Sequence, residues 1–139
     1  MTSDQPRSGG CLCGAVRYRV EGALRPIVYC HCGQCRRTHG HFAAYTSVPS
    51  KALELVEQRG LAWFRSSAEA ERGFCRECGA SLFWRRTGGD DCGLAAGSLD
   101  DAAGIRAAAH IFVADKAAYY EITDGLPQHP QGRNSPRIA

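Results

Sequence analysis

Cys30-His31-Cys32-Gly33-Gln34-Cys35 places three thiols within six residues. The segments on either side read as short strands, so this is a tight turn built to close around something. Three thiolates at such spacing hold a soft metal. Zinc is the first expectation, because thiolates favour it and it asks only for tetrahedral geometry. The number three is informative. A structural zinc is closed by four protein ligands, whereas three ligands and an open position form the catalytic arrangement. A water, a substrate thiol or a carbonyl fills the fourth place.

Two further cysteine pairs flank this turn. Gly10-Cys11-Leu12-Cys13-Gly14 is a Cys-x-Cys pair between glycines. In an extended segment residues i and i+2 face one side, so both sulfurs reach a single ion. Phe74-Cys75-Arg76-Glu77-Cys78-Gly79 is a zinc-knuckle pattern, in which backbone amides point at the sulfurs and the glycine takes the turn's backbone angle. Spacing admits several pairings of these pieces. The economical one gives Cys11, Cys13, Cys75 and Cys78 a complete four-cysteine site and leaves Cys30, Cys32 and Cys35 as the open set. A second structural zinc closed by His39, His41 or Cys92 is the plain alternative, and an iron–sulfur cluster a more remote one. His31 is poorly placed as a ligand, since it lies between two cysteines that face the metal together. Cys92 sits in an apolar strand, where an unliganded buried thiol is the ordinary state.

Around the cysteines the apolar residues come in short runs broken by Gly, Pro and charge, the pattern of many short strands. Residues 15–20 alternate apolar and polar and read as a half-buried strand. Residues 26–29, 42–48, 61–64, 81–84, 92–96 and 109–113 read as further strands. Residues 53–58 are too short to separate strand from helix. Residues 36–41 read as one helical turn ending at Gly40, and a polar loop follows the 61–64 strand through Arg72. The fold class expected is therefore all-β, with few short helical turns. Residues 1–9 read as a disordered N-terminus, 10–127 as one zinc-binding domain, and 128–139, rich in Pro, Gln, Gly and Arg, as an exposed C-terminal tail.

Composition narrows the partners. The formal charge is +3. Seven thiolates and two divalent zinc ions together carry −3, so the metal-loaded chain sits near neutrality and a nucleic-acid partner is not expected. No run approaches a membrane span. The start, Met1-Thr2-Ser3-Asp4-Gln5-Pro6, carries no apolar export signal, so the reading is cytoplasmic. In that reducing compartment eight cysteines mean metal or catalysis more than a disulfide framework.

The three cysteine pieces, with Ala15-Val16-Arg17-Tyr18 after the first and Arg36 after the second, resemble the glutathione-dependent formaldehyde-activating enzyme family, which includes the centromere protein V domain. Ala96-Gly97-Ser98-Leu99-Asp100-Asp101, His110-Ile111-Phe112-Val113, Lys116 and Asp124-Gly125-Leu126-Pro127 are similar to family segments as well. Lys116-Ala117-Ala118-Tyr119 stands where members often carry Lys-x-x-Trp. The resemblance implies a mainly antiparallel β-tent fold with zinc-ribbon-like knuckles. It implies a structural zinc on Cys11, Cys13, Cys75 and Cys78, and a second, catalytic zinc on Cys30, Cys32 and Cys35. The implied activity is that of a carbon–sulfur lyase acting on a small thiol and an aldehyde, as in formation of S-hydroxymethylglutathione from glutathione and formaldehyde.

An open zinc suits that chemistry, since it binds a thiol as thiolate or polarises an aldehyde oxygen. Glutathione carries two carboxylates and one ammonium, so cationic contacts are expected. Arg36 and Arg37 lie next to the triad, and Lys116 is a more distant candidate. The rival expectation is a zinc-stabilised binding module for nucleic acid or protein, to which Arg36, Arg37, Arg85 and Arg86 would contribute.

Overall fold

Alternating burial along short segments produces the architecture expected of the sequence, a mainly antiparallel β chain. The computed structural model describes residues 5–137. In chain order the elements are β1 (Arg7–Gly10), β2 (Arg17–Val20), β3 (Ile27–Cys30), α1 (Gly33–His39), β4 (Ala43–Pro49), β5 (Leu53–Glu57), β6 (Leu61–Arg65), β7 (Ala70–Cys75), β8 (Ser81–Arg86), β9 (Asp91–Ala95) and β10 (Ala107–Ile111). No helix among the described residues is long and apolar enough to cross a membrane. The chain divides into two units, one of residues up to Arg25 with Thr46–Ile105, the other of Pro26–Tyr45 with residues from Arg106 on.

In the first unit β1, β2 and β5 form an antiparallel three-stranded sheet in the order β1-β2-β5. Tyr18 and Val20 of β2 point into the core, whereas Arg17 and Arg19 look outward, which is why this stretch forms a half-buried strand. Residues 53–57, ambiguous by length, are a strand. β6 to β9 pair antiparallel in sequence order, and the later half of β4 lies next to β9. Tyr18, Val16, Val20, Val48, Leu82, Phe83 and Leu94 fill the core between them. Tyr18 packs edge-on against Phe83 at 5.5 Å between centroids, and Trp63 stacks on Phe83 at 5.9 Å.

Two expectations are corrected here. The polar stretch through Arg72 is not all loop, because β7 begins at Ala70. Glu71 and Arg72 enter the strand because Glu71 faces Arg85 across the ladder, with Arg85 Nε donating to Glu71 Oε2 at 2.7 Å. A cross-strand ion pair supports a strand that apolar alternation does not announce. The stretch expected to be disordered before residue 10 contains β1, tied down by Arg7, whose guanidinium donates to the backbone oxygens of Asp101 and Ala103 at 2.8 and 2.7 Å. Residues 1–4 and 138–139, also placed in tails, lie outside the described residues.

β1 also explains one glycine. A Cβ on Gly9 would stand 2.4 Å from Tyr18 Oη and 2.5 Å from the Ser98 carbonyl oxygen. Tyr18 cannot yield, because it is buried and its hydroxyl bonds Ser98 Oγ at 2.6 Å. Gly9→Ala is therefore expected to destabilise the chain by about 1–3 kcal/mol, the usual range for overpacking. A urea titration reads this as a lower midpoint at unchanged slope.

In the second unit β3 is central. β10 runs parallel to it, with His110 opposite Tyr29 and Ile111 opposite Cys30, and the first half of β4 runs antiparallel, with Ala43 opposite Cys30. The helical turn expected over 36–41 is α1, which starts earlier and carries Cys35. Its start is set by Cys32, whose sulfur accepts the Cys35 N–H, and its end by Gly40, whose N–H bonds the Arg36 carbonyl. The segment expected as an exposed tail instead pairs with the free edge of β10. His110 N–H donates to Pro127 O at 2.8 Å, His129 N–H to His110 O at 2.9 Å, and Phe112 N–H to Gln131 O at 2.8 Å. His129 is buried. Composition suggests solvent there, but an open strand edge needs backbone partners, and this segment supplies them.

Candidate metal centres

The first centre belongs entirely to the first unit. Cys11 and Cys13 come from the loop between β1 and β2, Cys75 ends β7, and Cys78 follows in the turn into β8. That turn closes because Gly79 adopts φ +82° and donates its N–H to Cys75 O at 2.7 Å. The four sulfurs lie within 4.8 Å of one another. Cys11 and Cys75 each stand 3.7 Å from Cys13, sulfur to sulfur. Four thiolates about 2.3 Å from a zinc would be spaced about 3.8 Å along each tetrahedral edge. The donor set therefore fits a closed tetrahedral ion. Outer support is present, since Val16 N–H points at Cys11 Sγ (3.2 Å) and Cys78 N–H at Cys75 Sγ (3.4 Å). Backbone hydrogen bonding from Ala80, then from Cys13, holds the Cys78 thiol down, to about 6.

The second centre lies in the second unit. Cys30 is the last residue of β3, Cys32 caps α1, and Cys35 is buried in its first turn. Their three sulfurs also lie within 4.8 Å of one another, and among the described residues no fourth Cys, His, Asp or Glu joins the group. Hydrogen bonds from Cys30 first, then Cys35, pull Cys32 down to about 2, while the bond to Cys32 pushes Cys30 up. Thiolate character in such a cluster is what a soft cation needs.

The alternatives for a fourth ligand find other places. His39 Nε2 lies 3.2 Å from Tyr45 Oη, and His41 Nδ1 lies 2.9 Å from Tyr119 Oη. Cys92 is buried in the core of the first unit, where burial pushes its thiol up to about 11. His31 turns into the protein. Its Nε2 lies 2.8 Å from His110 Nδ1, and burial pushes its pKa down to about 4. Phe42 and Tyr120 pack on the His31 ring at 4.9 and 6.2 Å.

The cations named from the sequence differ in surroundings. Arg36 and Arg37 both lie on α1. Arg37 is exposed, whereas Arg36 is half-buried, and its Nε has no hydrogen-bond partner among the described residues. Lys116 Nζ donates to the carbonyl oxygens of Ala117 and Tyr120, so part of its hydrogen-bonding capacity is used within the chain. Sequence reasoning missed the contact between His31 and His110, and the carboxylate of Asp124 behind it. The available signal was a histidine in the apolar strand around residue 110, since a buried imidazole requires partners.

The model of the glutathione-dependent formaldehyde-activating enzyme family matches residues 6–115, a span that includes both cysteine clusters. The chain belongs to this family. A protein of Schizosaccharomyces pombe named as an uncharacterized lyase is 30% identical over 82 residues, which is 58% of each chain. The present chain thus spans little more than half of that relative's length. The crystal structure of a Rhodobacter sphaeroides protein is similar with a TM-score of 0.59 and 26% identity, covering 70% of this chain and 91% of that one. Of the two cysteine clusters, one brings four sulfurs together and the other, among the described residues, three.

Proposed function

We propose that the chain is a zinc enzyme of the carbon–sulfur lyase type, joining a small thiol to an aldehyde. Glutathione and formaldehyde, giving S-hydroxymethylglutathione, are the substrates its family name suggests. The observation that carries the reading is the contrast between the clusters: four converging sulfurs in one unit, three in the other. The reading takes two zinc ions per chain, one held structurally by Cys11, Cys13, Cys75 and Cys78, the other catalytically by Cys30, Cys32 and Cys35, in a cytoplasmic setting that keeps the thiols reduced.

Bound at the triad, zinc would supply a Lewis acid and favour the thiolate form of an incoming thiol. In the reaction the sulfur attacks the carbonyl carbon and a C–S bond forms. The C=O π pair moves to oxygen, and the proton of the thiol ends on that oxygen, with no net oxidation. The chain's own residues hold and shape the site. Cys32 fixes the start of α1 beside Cys30, and Cys35 anchors the helix from its buried side. Arg36 and Arg37, one and two residues beyond, supply positive charge for a substrate carboxylate, and Lys116 is a weaker candidate because its ammonium already serves two carbonyls.

Cobalt exchanged for zinc gives the direct test. Adding glutathione is expected to change the visible absorption of the cobalt form, because a fourth sulfur enters one site. Exchange NMR on glutathione and formaldehyde should then show interconversion faster than the uncatalysed background, and the excess should vanish in Cys32→Ser. No spectral change with any small thiol would sink the thiol–aldehyde reading and leave a zinc-stabilised binding module in its place.

A further inference from the structure

Two segments noted in the sequence have no part in the chemistry above: the strand around His110 and the turn Asp124-Gly125-Leu126-Pro127. The structure joins them. His110 is 0% exposed and engaged at both ring nitrogens. Its Nδ1 lies 2.8 Å from His31 Nε2, and its Nε2 lies 2.8 Å from Asp124 Oδ2. The imidazoles of His31 and His110 stack at 5.0 Å, and Tyr29 closes on His110 at 4.9 Å. Asp124 is itself held in place, because its Oδ1 accepts the Leu126 N–H at 3.0 Å. Its side chain is 40% exposed at the outer end of this row.

The hydrogens in the row can be assigned from valence. An ionised carboxylate only accepts, so His110 Nε2 carries a hydrogen. A neutral imidazole has a single N–H, so His110 Nδ1 accepts and His31 Nε2 donates. That uses the only hydrogen His31 has and leaves its Nδ1 as a lone pair. We propose that Asp124 is a positioning residue: acting through His110, it fixes His31 as the Nε2–H tautomer, so the residue between Cys30 and Cys32 keeps an unprotonated ring nitrogen. Its use in turnover rests on the thiol–aldehyde reading; the tautomer does not.

The test is long-range 1H–15N NMR at pH 8 on zinc-loaded protein labelled in its histidines. The wild type is expected to show both His31 and His110 protonated at Nε2. Asp124→Asn keeps the shape of the side chain. Its amide oxygen retains the Leu126 N–H, because the opposite orientation would set two donors together, so its NH2 faces His110 Nε2. The row should then reverse, with both histidines protonated at Nδ1. Asp124→Ala removes the acceptor and should give each ring a mixture of tautomers. A merely structural carboxylate would move neither signal in this directed way. Three results would overturn the proposal: His31 protonated at Nδ1 in the wild type, His110 protonated at both nitrogens, or a folded Asp124→Asn in which both rings stay Nε2–H. Should Asp124→Asn fail to fold, Asp124→Ala decides, with unchanged tautomers against the proposal and mixed ones for it. The expected spectra in a protein that converts no thiol or aldehyde would refute the proposed reaction and leave the role of Asp124 intact.

Discussion

Cys75→Ser is expected to give unfolded or insoluble protein, whereas Cys32→Ser stays folded, keeps one zinc and loses turnover. Cys75 is 0% exposed and packs within the core of its unit, and its sulfur meets that of Cys13, 62 residues earlier. An ion held there ties the β1–β2 loop to the β7–β8 turn. Structural zinc binding is worth roughly 10–16 kcal/mol apparent, and whole domains are stable by only about 5–15 kcal/mol. Losing that ion removes as much as the fold has to give. The triad, by contrast, lies within six residues at one end of β3 and the start of α1, so its metal ties together little distant structure. Thermal melts and zinc counts on the two variants check this. If Cys32→Ser unfolds as readily as Cys75→Ser, both clusters are structural and the catalytic reading fails.

Phe83→Ala is expected to cost about 3–5 kcal/mol, the range for deleting a buried ring. For a chain of this length that corresponds to a melting temperature lower by roughly 10–20 °C. Phe83 is 0% exposed, lies between Tyr18 and Trp63, and has Gly73 against its own Cβ and ring. No small neighbour can collapse into the space, so a cavity remains. Phe64→Ala is the matched control. Its ring is 61% exposed, and the change should stay within about 0.5 kcal/mol. Calorimetry on the zinc-loaded variants separates the two. Equal losses would mean that the core is not where Phe83 places it.

The parts of this molecule that were legible in the sequence are the ones written locally. Cys30, Cys32 and Cys35 announce themselves by spacing, and the alternation over residues 17–20 announces a half-buried strand. Features that depend on a distant partner were not visible. β7 reads as polar until Glu71 is seen opposite Arg85. Gln128 and His129 read as tail until β10 is found with an unpaired edge beside them. His31 and His110 are 79 residues apart, and nothing near either one names the other. The convergence of four cysteines was suggested by economy of ligands, and the meeting of their sulfurs is a property of the folded chain alone.

The parallel pairing of β3 with β10 sets an order of events in time. All of Thr46–Ile105 lies in sequence between the two parts of the second unit, so β3 and α1 are synthesised long before the strand that lies beside them. Bringing ends that far apart together costs about 4 kcal/mol of chain entropy before any contact offsets it. The intervening unit shortens that search by folding first, since its hairpins join neighbours in sequence. The triad's thiols therefore emerge from the ribosome early and wait, unsupported, until the last third of the chain arrives. During that interval they stand open to oxidation or to the wrong metal.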